Sequence, residues 1–348
     1  MQTNLQQLRA AFLHAKAEQK LRNRDAAAAV GVSEGEALAA CIGAEAIRLK
    51  PDFVTLFEEV PQLGPVMALT RNDSAVHEKD GSYQNMSHNG HVGLALSEVI
   101  DLRIFYKQWR FGCAVIEETP RGTQKSLQFF DQHGSAVHKV FLREHSHHAA
   151  FDQLLARWRD ADQQPGVRVE PKPPAAAETP DGEIDVAGFR TAWSDMTDTH
   201  QFFGLLRDFG VSRTQALRLA AAQYVRQVDN DALQNILENA AATAIPIMVF
   251  VANAGMIQIH SGPVSNIKVM GPWINVLDPG FNLHLRADHI ASSWFVTKPT
   301  SDGEVTSLEL FDREGQTIAM LFGMRKPGQP ELPAWRQAMT QLPAMSGK

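Results

Sequence analysis

An internal repeat is the feature of this 348-residue sequence that most constrains its fold. When residues 65–143 are compared with residues 246–324, a shift of 181 positions, seventeen of the 79 pairs are identical. Average residue usage predicts roughly five identities. A shift of 179 also aligns the Gly-Val-Ser segment at 31–33 with the same segment at 210–212. We therefore predict a duplication, in which one fold occurs twice along the chain.

The order of predicted elements favours a mixed fold for each repeat. An alanine-rich helical segment comes first, from Leu5 to about Leu56, and short β-branched or aromatic segments separated by Gly, Asn and Asp follow it. A helix over Ala149–Arg159 closes the first repeat. The predicted strands of this repeat are 66–70, 93–96, 102–105, 113–117, 127–130 and 137–142. We predict an α+β fold of two tandem repeats, each an antiparallel sheet with helices packed at one side.

A proline- and alanine-rich stretch separates the repeats. Five prolines and an alanine triplet lie between Gln163 and Gly182, a composition typical of a semi-rigid, poorly packed connector. We predict an N-terminal repeat over residues 1–160, a linker over 161–185 and a C-terminal repeat over 186–348.

Composition excludes several classes of function. The net charge of −6 argues against a non-specific nucleic-acid binder, which needs a basic face. Only two cysteines occur, and the N-terminus lacks the apolar core of a signal peptide. The longest apolar run, 244–254, is too short to span a membrane. We expect a cytoplasmic protein that does not cross a membrane.

Two other kinds of site are considered. The segment Ala26–Ala40 has the glycine turn of a helix-turn-helix, but its second helix begins with Glu34 and Glu36, which would repel phosphates. A cluster of five histidines suggests a metal tract, although no carboxylate or cysteine completes a recognisable ligand set. These histidines are His133, His138, His145, His147 and His148.

The segment DMTDTHQFFGLLRDFGVSR, residues 195–213, places a histidine at the start of a short helix. Asp198 or Thr199 is a plausible N-cap, and Gly210 is where a helix commonly ends. Gly204 lies one turn after His200, and glycine costs a helix roughly 1 kcal/mol relative to alanine. That cost is understandable if a flat body such as a porphyrin packs there. The alternative is a first-turn histidine without a ligand and a glycine without a function.

The duplication is an internal control for charge. Three cations of the second repeat align with carboxylates of the first, and the pairs are Arg213 with Glu34, Lys298 with Glu117 and Arg325 with Glu144. Such an asymmetry is expected if only the second repeat holds an anionic ligand, because Arg and Lys bind carboxylates by charge-assisted hydrogen bonds. Drift of charge on a solvated surface is the alternative.

Three segments together resemble a known family. DTHQFFGLLRDFGVSR at 198–213, IDLRIFYKQW at 100–109 and LTRNDSAVHEKDGSY at 69–83 are similar to the cytoplasmic hemin-degrading, or hemin-transport, proteins of Gram-negative bacteria. The resemblance covers nearly the whole chain. It implies a protein of bacterial heme utilisation that binds heme b.

The resemblance also implies roles for particular residues. His200 would bind the heme iron, and Arg103 of the first repeat would approach the opposite face. Phe105 and Phe250 would pack on or near the macrocycle, and Arg213, Lys298 and Arg325 would pair with the propionates. His77 is similar to a second heme-contacting histidine of some members, or else is an exposed loop histidine without a role toward iron.

Heme degradation and heme delivery use the same binding residues. In a degrading enzyme His200 and Arg103 would be catalytic, the heme would be cofactor and substrate at once, and an electron donor or reductase would be needed. In a carrier, the pocket would hold ferric heme and pass it to a separate heme oxygenase. An ABC importer of heme is a possible partner in both cases. The distal arginine favours degradation, since a carrier hardly needs one.

Overall fold

The computed structural model describes residues 4–120, 122–326 and 328–345. They form two compact units. Unit 1 contains the residues up to Arg71, Glu78–Pro173 and Asn253–Gln258, and unit 2 contains Asn72–His77, Pro174–Ala252 and the residues from Ile259 onward. The boundary between Pro173 and Pro174 lies inside the predicted linker. Asn72–His77, from the first half of the chain, belongs to unit 2, and the equivalent Asn253–Gln258, from the second half, belongs to unit 1. The sequence prediction had two uninterrupted halves.

The first half of the chain forms helices, then strands, then a closing helix. The helices are α1 Leu5–Gln19, α2 Asn23–Ala29, α3 Glu34–Ala39, α4 Phe53–Glu59 and α5 His148–Trp158. The strands are β1 Ala46–Arg48, β2 Val66–Arg71, β3 Ala75–Gly81, β4 Met86–Asn89, β5 Val92–Leu96, β6 Asp101–Phe105, β7 Phe111–Thr119, β8 Gly122–Phe130 and β9 Ala136–Leu142. Within unit 1, antiparallel neighbours follow the order β1-β7-β8-β9-β2, and β4-β5-β6 form a second run.

The second half repeats this arrangement. Its helices are α6 Val186–Ser194, α7 Gln201–Phe209, α8 Arg213–Leu219, α9 Ala232–Thr243 and α10 Pro333–Thr340. Its strands are β10 Val225–Val228, β11 Ile247–Asn253, β12 Met256–Gly262, β13 Ile267–Met270, β14 Trp273–Asp278, β15 Phe281–Arg286, β16 Ser292–Lys298, β17 Val305–Phe311 and β18 Thr317–Gly323. Within unit 2, the order β10-β16-β17-β18-β11 and the run β13-β14-β15 match those of unit 1. The predicted α+β fold of two repeats is confirmed.

Both faces of the unit 2 sheet are packed. On one face, Leu233 of α9 and Trp335 of α10 belong to a core that includes Val249 and Leu321 of the sheet. On the other face, the helices α6, α7 and α8 pack on Val296 and Phe311. Because side chains alternate along a strand, β10, β16 and β17 contribute to both cores, whereas β11 and β18 contribute only to the first. The face under α6–α8 carries the candidate site described below.

Three local predictions need correction. The segment around His77 is strand β3 and not a loop. Helix α7 has His200 itself at its N-cap position without a side-chain cap bond, although Gly210 does end the helix at φ 63°. The linker is hydrogen-bonded to its surroundings: Gly166 N donates to Ala39 O, and Gln215 Nε2 donates to Thr179 O. Its composition predicted irregular backbone but not these bonds.

The helix-turn-helix alternative is wrong for a structural reason. Helix α3 is almost entirely buried, including Glu34, Ala37 and Leu38. A recognition helix must present its side chains to a groove, which a buried helix does not do. The sequence argument against DNA binding assumed that Glu34 is exposed and repels phosphates. Glu34 is buried, so the burial of the helix is the reason that holds.

Glu34 is instead the centre of a buried ion cluster that joins α3 to the sheet. Its carboxylate accepts hydrogen bonds from Arg71 at the end of β2 and from Lys139 of β9. Burial alone raises the pKa of Glu34, but the charges of Lys139 and Arg71 outweigh burial and lower the pKa to about 2. The cluster is thus ionised at neutral pH.

Two equivalent asparagines anchor the turns that follow β2 and β11. Asn72 Nδ2 donates to Ala252 O at 3.1 Å and Ile318 O at 2.8 Å, all within unit 2. Asn253 Nδ2 donates to Arg71 O at 2.9 Å and Val137 O at 2.8 Å, all within unit 1. Each asparagine and both of its acceptors are related by the 181-residue shift. In both repeats, therefore, an asparagine side chain donates hydrogen bonds to two equivalent backbone carbonyl groups.

We expect Asn253→Ala to lower the free energy of unfolding by about 1–3 kcal/mol, because two carbonyls lose their donor. Urea unfolding followed by circular dichroism measures this effect. Asn235→Ala on the exposed face of α9 is the matched control and is expected to leave stability nearly unchanged. Equal effects of the two substitutions would contradict the anchoring role.

The Glu34 cluster predicts a pH dependence of stability. Because the pKa of Glu34 is lower in the folded chain, its contribution is present above about pH 4.5 and is lost as the pH falls toward about 2. We expect Glu34→Gln to reduce the free energy of unfolding by about 3–5 kcal/mol at pH 7, where the two cations lose their carboxylate. The difference from wild type should shrink below pH 4.5. Denaturant unfolding at several pH values tests this pH dependence, with the exposed Glu18→Gln as control. Parallel curves of unfolding free energy against pH for wild type and Glu34→Gln would refute the prediction.

Candidate functional site

His200 is presented to solvent at the start of α7. Its side chain is 92% exposed, and its Nδ1 lies 2.7 Å from Asp198 Oδ1. Since a carboxylate only accepts hydrogen bonds, the proton is on Nδ1 and the lone pair is on Nε2. The backbone N–H of His200 also donates to Asp198 Oδ1 at 2.8 Å. The imidazole is therefore oriented, and the nitrogen that points away from Asp198 is ready to bind a metal.

The loop before His200 is held by hydrogen bonds at both ends. Gln201 Oε1 accepts from the backbone N–H groups of Thr197 and Asp198, at 2.8 and 3.2 Å. Ser301 N donates to Thr197 O at 2.8 Å. The pKa of Asp198 is lowered, chiefly by the hydrogen bonds from the backbone and ring of His200 and also by the charge of Arg325. Asp198 thus stays ionised as the acceptor for the ring.

The outer surface of α7 carries one exposed aromatic side chain among polar residues. Phe202 and Leu205 are buried beneath the helix, while Phe203 is 80% exposed. A Cβ added at Gly204 would meet no atom within 4 Å, so nothing in the protein requires glycine there by close packing. Covering an exposed phenylalanine ring with another apolar surface is favourable, because apolar area is removed from water. Phe203 and Gly204 therefore leave room for a flat apolar body beside His200.

A half-exposed apolar surface covers two strands of the same unit. In register, Phe250 of β11 lies opposite Met320 of β18, and Met248 lies opposite Phe322. The rings of Phe250 and Phe322 are 5.1 Å apart between centroids. We name these four side chains the β11/β18 surface. Under the shift of 181 they align with Met67, Leu69, Lys139 and Phe141, of which the first three are buried. The open apolar surface is thus specific to unit 2.

A buried ion cluster adjoins this surface. Arg213, the first residue of α8, donates to Glu309 of β17 through Nε at 2.7 Å and through Nη2 at 2.9 Å. Lys298 of β16 donates to the same carboxylate at 2.7 Å. Glu309 is 0% exposed. Burial by itself raises its pKa, but the charges of Arg213 and Lys298 outweigh burial and hold the pKa well below its usual range.

The bonds to Glu309 limit how Arg213 and Lys298 can contact an anionic ligand. Lys298 is 4% exposed and its ammonium group already donates to Glu309, so its contact with a propionate stays a prediction and would add a second carboxylate partner. Arg213 has both an inward and an outward edge. Its Nε and Nη2 are used by Glu309, and Nη2 also lies 3.1 Å from Met320 Sδ, whereas Nη1 makes no hydrogen bond to any residue that the structure describes.

Arg325, just beyond β18, is a cation with an unused donor. Its Nη1 is buried and has no hydrogen-bond partner within the described ranges, and the nearest carboxylate, that of Asp302, is 3.8 Å away. A buried guanidinium nitrogen without an acceptor is costly. An anionic group on the ligand would supply the acceptor, and Arg325 also acts electrostatically on Asp198 beside His200. Arg325 therefore fits a carboxylate-bearing ligand better than Lys298 does.

Arg103 and Phe105 lie in unit 1, on one face of β6. Arg103 forms an ion pair with Asp101, and its Nη1 donates to Leu102 O at 3.2 Å. Residues 101, 103 and 105 are half-buried, whereas Leu102 and Ile104 face the core. On the neighbouring strand, Leu94 pairs with Arg103 and the exposed Val92 pairs with Phe105. The arginine thus stands in an open, largely apolar surface of its own unit.

The predictions for His77 are wrong in both forms. The residue is neither exposed nor in a loop, since it is 0% exposed in β3 and its ring packs against Phe281 at 5.0 Å. A heme cannot reach a ring that is covered on all sides. The alternation of AVHEKDG, with buried residues at 75, 77 and 79, was the signal for a strand.

The proposed histidine tract is dispersed over separate partners. His138 is buried between Thr70 and Tyr83, and burial lowers its pKa to about 3. His133 and His147 bond to backbone carbonyls elsewhere. Within the described part of the chain, no group of three or more His, Cys, Asp or Glu side chains is placed to hold a metal ion.

Sequence reasoning missed Glu309, Met320 and Phe322. Glu309 aligns with Gln128 under the shift of 181. A carboxylate gained in the middle of a predicted strand was the sequence signal that could have identified Glu309. Met320 and Phe322 carry no polar group, and what they contribute to the site is apolar surface. As a separate observation, no helix in the ranges that the structure describes is long and apolar enough to cross a membrane.

Comparison with known proteins agrees with this geometry. A family model described as the haemin-degrading HemS.ChuX domain matches residues 31–158 and again residues 210–342. The hemin transport protein HmuS of Yersinia pestis is 40% identical over 333 residues, which are 95% of this chain and 96% of the relative. Hemin transport protein HemS of Yersinia enterocolitica is likewise 40% identical over 340 residues, with the same coverage of 95% and 96%.

Solved structures give the same result. Holo-PhuS, described as a heme-binding protein from Pseudomonas aeruginosa, has 47% identity and a TM-score of 0.96 over 99% of this chain and 100% of its own. The heme degrading enzyme ChuS of Escherichia coli O157:H7 has 36% identity and a TM-score of 0.91 over 98% and 100%. The resemblance noted from the sequence is confirmed, and this chain belongs to the haemin-degrading HemS.ChuX domain family.

Proposed function

We propose that this chain binds heme b through His200 and opens the porphyrin reductively, with release of iron, in bacterial heme utilisation. The observation that carries the proposal is the oriented, exposed imidazole of His200 beside an open apolar surface. Neutral imidazole is a common axial ligand of heme iron. Heme supplies the iron that binds and activates oxygen when it is held in the site.

Asp198 sets the chemistry of His200. By keeping the proton on Nδ1, it leaves Nε2 as the donor to iron and fixes the plane of the ring. Its ionised state also makes the imidazole a stronger donor. The short loop held by Gln201 keeps the two side chains in place while the rest of His200 remains accessible.

The macrocycle needs an apolar contact, and its propionates need cations at an edge. The β11/β18 surface provides aromatic and thioether contacts, which suit a flat polarisable ring. Phe203 provides a second contact beside His200. Arg325 Nη1 and the outward Nη1 of Arg213 are the donors proposed for the propionates, because neither has an acceptor among the described residues. Lys298 would be a further donor, shared with Glu309.

Arg103 is the proposed distal residue, by the resemblance of DLRIF to the family motif. Its role is to donate hydrogen bonds on the side of iron opposite His200, and Phe105 is the proposed apolar neighbour of the ring there. The ion pair with Asp101 limits the motion of the guanidinium. A preorganised cation of this kind favours negative charge that develops on the distal side.

The relatives support both a degrading enzyme and a carrier. ChuS is described as a heme degrading enzyme, whereas HmuS is described as a hemin transport protein. We favour degradation because Arg103 suits the stabilisation of charge on the distal side. The proposal includes an electron donor or reductase and a cytoplasmic location, with heme supplied by an importer. A carrier would need instead a separate heme oxygenase to receive its cargo.

We expect purified protein to bind hemin one to one with a shift of the Soret band. His200→Ala should lower the affinity at least roughly tenfold and change the spectrum, because the axial ligand is lost. Optical titration and resonance Raman spectroscopy measure both effects, and the exposed His14→Ala is the matched control. A wild-type spectrum in the His200 variant would refute ligation by this residue.

Turnover separates the enzyme from the carrier. With ascorbate or a reductase, and catalase to remove free peroxide, we expect the complex to lose its Soret band and to yield iron and a linear tetrapyrrole. Arg103→Ala should retain most hemin binding but lose the reaction by about 100-fold or more, the scale of a lost electrostatic donor. Decay of the band only in the absence of catalase would favour the carrier, whereas equal rates of degradation in wild type and Arg103→Ala with catalase present would contradict the role of Arg103.

A further inference from the structure

We infer that Glu309 is a positioning residue of the proposed site, acting on His200 through Phe202 and on the ligand through Arg213. The inference rests on the proposed function and extends it to a residue that lies beneath the site and does not touch it. Its basis is a continuous set of contacts within unit 2, from Glu309 to the first turn of α7.

Phe202 connects the ion cluster to the histidine. It is the second residue of α7, two positions after His200, and is buried. The ammonium group of Lys298 lies 4.5 Å from the centre of its ring, and the guanidinium carbon of Arg213 lies 4.9 Å from it. Trp193 closes a further side at 5.0 Å. Since both cations are fixed by one carboxylate, Glu309 determines where this ring and the start of α7 lie.

Arg213 connects the same cluster to the ligand surface. Its two bonds to Glu309 fix the plane of the guanidinium, and the contact of Nη2 with Met320 Sδ places that plane against the β11/β18 surface. Nη1 is left as the outward donor. Glu309 also reduces the summed charge of the two cations from +2 to +1, so that one anionic group of a ligand completes the neutralisation at Arg213.

Unit 1 contains the natural control for this inference. Its Glu34 cluster also has one buried carboxylate and two cations, yet Phe202 aligns with Asn23 under the shift of 179. The cluster of unit 1 therefore lacks the aromatic connection to the preceding helix, and that helix carries no counterpart of His200. Loss of Glu34 and loss of Glu309 remove the same kind of interaction, but only the second loss reaches the histidine.

The test compares Glu309→Gln with Glu34→Gln in the full chain, with hemin as the probe. At a temperature where circular dichroism shows both variants folded, we expect Glu309→Gln to speed hemin dissociation about 10- to 100-fold, the scale of a lost positioning contact. Its resonance Raman spectrum should show a mixture of His200-ligated and other heme. Glu34→Gln should keep the wild-type spectrum and dissociation rate. Glu309→Asp, which retains the charge, should restore part of the His200-ligated fraction.

A second variant keeps the inference testable if Glu309→Gln does not fold. Phe202→Leu retains an apolar side chain but removes the ring between the cations and α7, and we expect it to give the same mixed ligation. Wild-type ligation in a folded Glu309→Gln or in Phe202→Leu would overturn the inference, as would equal spectral changes in Glu34→Gln. Failure of the proposed function is a different result, since wild type would then bind no hemin or His200→Ala would bind it unchanged.

Discussion

A buried carboxylate held between two cations joins a helix to the sheet in each unit, and the rest of the structure depends on that pairing of charges. In the protein interior an unpaired charge is expensive, whereas a complete cluster is tolerated. In unit 1 the helix provides the carboxylate, Glu34, and the strands provide Arg71 and Lys139. In unit 2 the helix provides Arg213 and the strands provide Glu309 and Lys298. The signs are exchanged, but each cluster carries a net charge of +1.

This exchange accounts for the open surface of unit 2. The two cations of the first repeat stand where the second has Ala252 and Met320. Because Arg213 and Lys298 are supplied from α8 and β16 instead, strands β11 and β18 are left with apolar side chains and one guanidinium at the edge. A flat ligand with two carboxylates needs this combination of an apolar face and cations at its rim. In the proposed function, the charge asymmetry seen in the sequence would therefore serve the ligand through the packing beneath the binding surface.

Binding and reaction are assigned to different elements in the proposed function. The oriented His200, the β11/β18 surface and Arg325 would serve a carrier and an enzyme equally well. Arg103 is the residue proposed to distinguish them, because its hydrogen bonds would act on the distal side of iron. Relatives described as a transport protein and as a degrading enzyme are consistent with a binding half that serves both purposes.

The duplication, the α+β class, the family and the special position of His200 were all determined by the sequence, since identities at a fixed spacing and local motifs do not depend on distant contacts. The burial of His77, Lys298 and Glu34 was decided only by the tertiary structure. Each of these residues is of a charged or polar type that is usually found at the surface. Its burial depends on a partner that the fold brings from elsewhere in the chain. Lys298 is the clearest case. Its alignment with Glu117 indicated a change of charge between the repeats, but its partner, Glu309, lies eleven residues away on the neighbouring strand. Only the pairing of β16 with β17 makes the two groups neighbours, and that pairing gives Lys298 a structural partner in the same sheet.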